Sequence, residues 1–275
     1  MNKHILAFVG GGNMARSLIG GLVADGYPAA SIWVADPAAD RLAELSADFH
    51  VRTTTSNQEA CAQADAIVLA VKPDTAQAVV SELAATLAER QPLLLSVAAG
   101  VRASDLAAWL NNDQAAIIRA MPNTPALVRS GASALYANVH VSEAQRQLAE
   151  SLLRAVGMTC WLDHEQAMDA ATAVSGSGPA YFFLLMEAME QASVRLGLSA
   201  EQTRLLVLQT AMGAAKMALQ STAGPAELRR HVTSPGGTTE AAIKVLQAGQ
   251  FETLIDQAVA AAAARADEIG QTLGE

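Results

Sequence analysis

The stretch Ile5-Leu6-Ala7-Phe8-Val9-Gly10-Gly11-Gly12-Asn13-Met14-Ala15, followed by Ile32-Trp33-Val34-Ala35-Asp36, decides the fold. Apolar residues run without interruption to Val9, a glycine cluster breaks the run, and Ala15, Leu18, Ile19, Leu22 and Val23 then recur at helical spacing. Gly10, Gly12 and Ala15 fit G-x-G-x-x-A. In that pattern the first glycine makes the turn, the second admits a pyrophosphate close to the backbone, and the small third residue lets helix pack on strand. Helix N-terminal N–H groups then face the phosphates. Gly10, Gly11, Gly12, Asn13, Met14 and Ala15 are therefore the expected cofactor-binding residues, with a ligand-free glycine turn as the alternative. Asp36 stands where an acid commonly binds the adenosine ribose hydroxyls and favours NAD. The competing reading makes Asp36 a helix cap before Pro37, with Arg41 one turn on to meet a 2′-phosphate.

Outward from this stretch, further strand candidates fall at Ala66–Val71, Leu93–Val97 and Ala116–Arg119, with weaker signals at Ala132–Ala137 and Met158–Leu162. Helical spacing separates them, for instance at Ala76, Val79, Val80, Leu83 and Leu87, and Ser142 with Gln145 reads as a capping box. Strands alternating with helices imply a parallel, doubly wound sheet. After about Asp163 the strand signals stop, and helices are expected over Pro179–Leu196, Ser199–Gln220, Glu240–Ala248 and Phe251–Thr272. The expected class is α/β, a Rossmann-like domain over 1–162 followed by an all-α domain over 163–275. Leu184, Leu185, Ala188 and Ala192, with Leu205, Leu208, Met212 and Ala215, are core candidates of the second domain. A helical domain of this size has little interior of its own, so two copies pooling their faces in a dimer are expected.

The chain of 275 residues is 51% hydrophobic, only 4% aromatic, and carries a net charge of −9. That charge, with no Lys/Arg cluster, argues against nucleic-acid binding, which depends on neutralising phosphates. Cys61 and Cys160 have neither CxxC spacing nor neighbouring histidines, so no metal site is signalled and both are expected as buried thiols. The first strand begins within a few residues of Met1 and no apolar run has membrane-spanning length, so no leader and no membrane segment are expected, and the location expected is cytoplasmic.

Three segments hold more glycine, proline and hydroxyl residues than a connector needs: Met121-Pro122-Asn123-Thr124-Pro125, Ser175-Gly176-Ser177-Gly178-Pro179-Ala180-Tyr181, and Thr233-Ser234-Pro235-Gly236-Gly237-Thr238-Thr239-Glu240. The third delivers N–H donors and hydroxyls to a helix start, which is either an anion nest or a plain N-cap by Thr238 or Thr239. With the glycine turn, Ala70-Val71-Lys72-Pro73 and Ser96-Val97-Ala98-Ala99-Gly100-Val101, these strings in this order resemble pyrroline-5-carboxylate reductase along essentially the whole chain.

The resemblance implies reduction of 1-pyrroline-5-carboxylate to L-proline, the last step of proline biosynthesis. NADPH is the expected hydride donor, with NADH possible, and a homodimer or larger ring the expected assembly. It places Ala70, Val71, Lys72 and Pro73 beside ribose and nicotinamide, Ala98 and Ala99 along the ring, and Asn57 at a further cofactor contact. It places the substrate carboxylate on the backbone around Gly237, Thr238 and Thr239, assisted by Ser234, with Thr239 Oγ hydrogen-bonding the ring nitrogen as the catalytic group. Glu165 has two readings, a contact to the substrate amine or a solvated helix cap. Lys72 and His231 are further acid candidates beside plainer readings as a ribose contact and a loop neighbour. A β-hydroxyacid dehydrogenase would need a lysine such as Lys216 with an asparagine four residues on, where Gln220 stands instead. A non-catalytic dinucleotide sensor would have no use for the threonine nest.

Overall fold

The computed structural model describes residues 4–273. It contains β1 (Leu6–Val9), α1 (Asn13–Ala24), β2 (Ile32–Ala35), α2 (Ala39–Phe49), β3 (Arg52–Thr54), α3 (Asn57–Cys61), β4 (Ala66–Leu69), α4 (Pro73–Arg90), β5 (Leu93–Ser96), α5 (Ala103–Trp109), β6 (Ile117–Met121), β7 (Gly131–Ala137), α6 (Glu143–Arg154) and β8 (Gly157–Trp161). The strands form one sheet in the order β3-β2-β1-β4-β5-β6-β7-β8, parallel except for the β6–β7 pair. Chain order reverses direction at β1, and the crevice beyond the carboxyl ends of β1 and β4 is the switch point at which open α/β sheets bind ligands.

Strand residues alternate between two cores, as a period of two requires. Leu6, Phe8, Val34, Val68 and Leu95 face Leu18, Ile19 and Leu22 of α1 with Leu152 and Leu153 of α6. Ala7, Val9, Ile67, Leu69 and Leu94 face Val80, Leu83 and Leu87 of α4 with Leu106 of α5. Both faces are buried, so these strands read as continuous apolar runs. Each fully buried leucine or isoleucine contributes roughly 1.5–3 kcal/mol. The expected helix start at Ser142 is a capping box with Gln145. The strand missed in the sequence is β3, three polar residues at the sheet edge, too short to show a period.

The helices that follow are α7 (Ala167–Ala171), a π-helical turn (Thr172–Gly176), α8 (Gly178–Arg195), α9 (Ala200–Gln220), α10 (Pro225–His231), α11 (Thr238–Ala248) and α12 (Phe251–Leu273). By compactness the chain forms two units, the first of residues up to 177 together with 260 onward, the second of residues 178–259. This division by compactness runs differently from the 162/163 boundary expected where the strand signals stop. The end of α12 belongs with the sheet because Gly270 abuts the Gly100 carbonyl and Asp267 pairs with Arg102 at 3.0 Å.

Two expectations require correction. The core candidates of the second unit are not core within the chain, since Leu184 and Leu205 are 67% and 68% exposed and Met212 is exposed as well. Few residues of α8 and α9 are buried beyond Thr203 and Val207, because a lone helical layer has no second layer to cover it. Cys160 is exposed, lying on the edge strand β8, whereas Cys61 ends α3 buried in the core that the sheet shares with α4, and its thiol is pushed up to about 12. Desolvation is the main cause and Glu82 adds to it. Among the described residues no helix is long and apolar enough to cross a membrane.

Candidate functional site

At the switch point a cleft of about 570 Å³ is lined by Gly10, Gly11, Gly12, Asn13, Asp36, Asn57, Ala70, Val71 and Lys72. Gly10 has φ +96°, and a Cβ there would lie 2.6 Å from the Ala70 carbonyl oxygen, so only glycine lets the turn pass β4. Gly10 N–H donates to the Ala35 carbonyl at 2.8 Å. Gly12 caps α1 without a side-chain bond, and a Cβ there meets nothing within 4 Å. The first helical bond runs from Arg16 N–H to the Gly12 carbonyl, so Gly12, Asn13 and Met14 keep N–H groups with no acceptor among the described residues. An open cradle over the positive end of a three-turn helix suits a pyrophosphate. Ala15 is fully buried and serves the helix–strand contact.

Asp36 is buried at the end of β2. Its Oδ2 accepts from Gly11 N–H at 2.8 Å and Arg41 Nη1 at 2.8 Å, and its Oδ1 accepts from Ala38 N–H at 2.9 Å. Burial pushes the carboxyl up, but these three donors outweigh it and hold Asp36 below its ordinary value. It does not cap α2, whose cap position is Ala38. Lys72 is the cap of α4, Pro73 its first residue, and Asn57 the first residue of α3, its Nδ2 3.4 Å from Glu82. Ala98 and Ala99 follow β5 on the same sheet edge but do not line the cleft, and Ala98 N–H is held by Ser96 Oγ at 3.3 Å. Arg16 and Thr75 line the cleft and were not singled out in the sequence. Their signal is position, each lying in the first turn of a helix that opens on the cleft.

The second donor set lies in the second unit. Gly236 takes φ +71°, its N–H donates to Glu240 Oε2 at 2.8 Å, and Gly237 N–H donates to the Ser234 carbonyl at 3.0 Å. Gly237, not either threonine, occupies the cap position of α11. Thr238, Thr239 and Glu240 therefore present N–H groups without an acceptor among the described residues, because the first helical bond is Ala241 N–H to the Gly237 carbonyl. Neither threonine hydroxyl is spent on a cap, and the arrangement offers the donor geometry that an anion nest requires. His231 ends α10 exposed, 3.7 Å from Glu227.

Glu165 belongs to the first unit. Its Oε1 accepts from Arg119 Nη1 at 2.8 Å and from Ala103 N–H at 2.7 Å, which spends that oxygen on joining β6 to the start of α5. Arg119 is only 7% exposed in its side chain and requires this counter-charge. Two of the polar segments flagged in the sequence meet here as well. Asn123 Nδ2 donates to the Ser175 carbonyl at 3.0 Å and its Oδ1 accepts from Ala132 N–H at 2.9 Å, so Asn123 ties the π-helical turn to β7.

The doubly wound sheet, the glycine turn and the donor-rich helix start at its switch point define a Rossmann-type dinucleotide-binding oxidoreductase. Residues 5–100 match the family described as NADP oxidoreductase, coenzyme F420-dependent, and residues 165–269 the family of pyrroline-5-carboxylate reductase dimerisation. The chain is 55% identical over its whole length to the full pyrroline-5-carboxylate reductase of Pseudomonas aeruginosa. Its fold matches the solved pyrroline-5-carboxylate reductase of Coxiella burnetii at 45% identity and TM-score 0.94, covering 98% of this chain and 99% of that one. It matches the Plasmodium falciparum pyrroline carboxylate reductase solved with NADP bound at 30% identity and TM-score 0.87, with the same coverage. The chain belongs to the pyrroline-5-carboxylate reductase family.

Proposed function

We propose that this protein reduces 1-pyrroline-5-carboxylate to L-proline with NADPH as the preferred donor, NADH serving less well. The observation that carries the reading is two sets of N–H donors, at the start of α1 and at the start of α11, that have no acceptor among the described residues, in a chain related over its full length to reductases of this name. One set suits a pyrophosphate and the other a carboxylate. When bound, the reduced dinucleotide supplies the hydride for the C=N carbon.

The chain's residues do the rest. Thr238 and Thr239 N–H, with Ser234, hold the substrate carboxylate. Thr239 Oγ hydrogen-bonds the ring nitrogen and orients the imine. A hydroxyl is a poor acid, so water or an iminium already protonated in solution supplies the proton on nitrogen. The nicotinamide side falls to Ala70, Val71, Lys72 and Pro73, and Ala98 and Ala99. Glu165 Oε1 is engaged by Arg119 and Ala103, so a contact to the substrate amine would fall to Oε2.

Thr239→Ala tests the assignment: kcat/KM for the imine falls steeply while the Kd for NADPH is unchanged, and wild-type kinetics in the variant would refute it. The working form is a homodimer or an assembly of dimers, in which a second copy covers the apolar faces bearing Phe182, Leu184, Leu205 and Met212. Sedimentation as a monomer at micromolar concentration would exclude this.

A further inference from the structure

An acid at the end of the second Rossmann strand ordinarily marks a protein that prefers the unphosphorylated ribose. In this chain the acid is already spent. The Asp36 side chain is 4% exposed, and its two oxygens accept three intrachain donors, from Gly11, Ala38 and Arg41. A carboxylate that grips a ribose diol bidentately must turn both oxygens toward the ligand, and Asp36, buried and with one of about four acceptor sites left, on Oδ1, does not.

Arg41 is in the opposite condition. Its side chain is 49% exposed and lines the same cleft beside Pro37. Its one hydrogen bond among the described residues goes to Asp36, leaving four of the five guanidinium donors. The stem runs beside Gly11, where an added Cβ would lie 3.4 Å from Arg41 Cδ, so the side chain sits over the glycine turn. The planar head is thus anchored through Nη1 to Asp36 and keeps a free edge, the form in which arginine recognises a phosphate in bidentate fashion. Of the other charged groups lining the cleft, Arg16 is paired with Asp48, Glu44 lies on the same helix as Arg41, and Lys72 stands on the far side at the start of α4.

We infer that Arg41 selects the 2′-phosphorylated dinucleotide and that Asp36 is its positioning residue, locking both the glycine turn and the guanidinium rather than binding ribose hydroxyls. This rests on the functional reading only in taking the cleft for a dinucleotide site. A single residue type at β2, read alone, points to the wrong cofactor, and the hydrogen-bond partners of that residue reverse it.

The test is direct binding, by calorimetry on the full chain, of 2′,5′-ADP and 5′-ADP, probes that differ by one phosphate and require no turnover. Wild type binds 2′,5′-ADP more tightly. Arg41→Ala weakens 2′,5′-ADP by roughly 10- to 100-fold and 5′-ADP by less than about twofold, and Arg41→Lys restores part of the ratio. Asp36→Asn shrinks the same ratio, and the double variant shrinks it no further than Arg41→Ala alone. An unchanged ratio in Arg41→Ala overturns the proposal. So does an Asp36→Asn variant that loses 5′-ADP more than 2′,5′-ADP, the result expected of a ribose acceptor. If Asp36→Asn fails to fold, the Arg41 variants decide alone, because that side chain is half exposed. Failure of the reductase reading shows elsewhere, as absent NADPH oxidation with 1-pyrroline-5-carboxylate, and leaves these ratios untouched.

Discussion

Replacing Gly10 by alanine and, separately, Gly12 by alanine adds one methyl to the same turn with opposite expected outcomes. At Gly10 the backbone sits at φ +96°, outside the range an L-residue favours, which costs about 1–2 kcal/mol. The new Cβ also lies 2.6 Å from the Ala70 oxygen and 2.8 Å from its carbonyl carbon, both backbone atoms at the end of β4. Relief requires β1 and β4 to separate locally, an overpacking cost of about 1–3 kcal/mol. The sum of about 2–5 kcal/mol corresponds to a fall in Tm of roughly 5–15 °C for a chain of this size. At Gly12 the angles are φ −70° and ψ −175°, ordinary for alanine, and nothing stands within 4 Å. Loss of a glycine cap costs under about 1 kcal/mol, so Tm moves by roughly 3 °C at most. The methyl instead enters the cradle, and NADPH affinity falls at least about tenfold. Differential scanning calorimetry and nucleotide titration at one fixed protein concentration measure both, since assembly makes Tm concentration-dependent. A Gly10→Ala protein that melts with wild type, or a Gly12→Ala protein that binds NADPH normally, would refute the reasoning.

Three further outcomes follow from the same structure. Arg119→Ala strands Glu165 among the start of α5 and β6, and stability falls by about 3 kcal/mol or more, read as a urea midpoint, whereas a change below about 1 kcal/mol would show the pair to be solvated. Asp36 titrates below its ordinary value when folded, so its contribution to stability is complete above the unfolded pKa of about 3.9 and is lost as pH falls through the lower folded value. Arg41→Ala removes one of the groups that lower it, and the acid limb of a Tm-versus-pH curve then moves to higher pH. Native protein treated with iodoacetamide at pH 8 takes one label, on Cys160, and the second, on Cys61, only in denaturant. Mass spectrometry showing early labelling of Cys61 would contradict its burial and its thiol near 12.

The central strands were legible because each is an uninterrupted apolar run, and the helices because Leu18, Ile19 and Leu22 keep the helical period. Edge strand β3, Arg52–Thr54, carries no such signal, since a strand exposed at a sheet border needs neither apolar faces nor length. In the second unit the period was read correctly and its consequence was not. Leu184 and Leu205 do repeat as a buried face would, but periodicity says only that a face is apolar and not which chain covers it. At the site, the threonine segment was recognisable as a donor cluster, while which residue caps α11 waited on the backbone, which puts Gly237 in the cap position.

What the sequence determined by itself is local: a strand, a turn that must be glycine and a helix whose first N–H groups lack partners all follow from contiguous residues and their periods. The tertiary structure alone decided the partners. Asp36 meets Gly11 across 25 positions of sequence and Glu165 meets Arg119 across 46, and those encounters set which of their oxygens already carry a hydrogen bond within the chain. A side chain's chemistry is written in its residue type, but the lone pairs and donors it has left for a ligand depend on neighbours that only folding supplies.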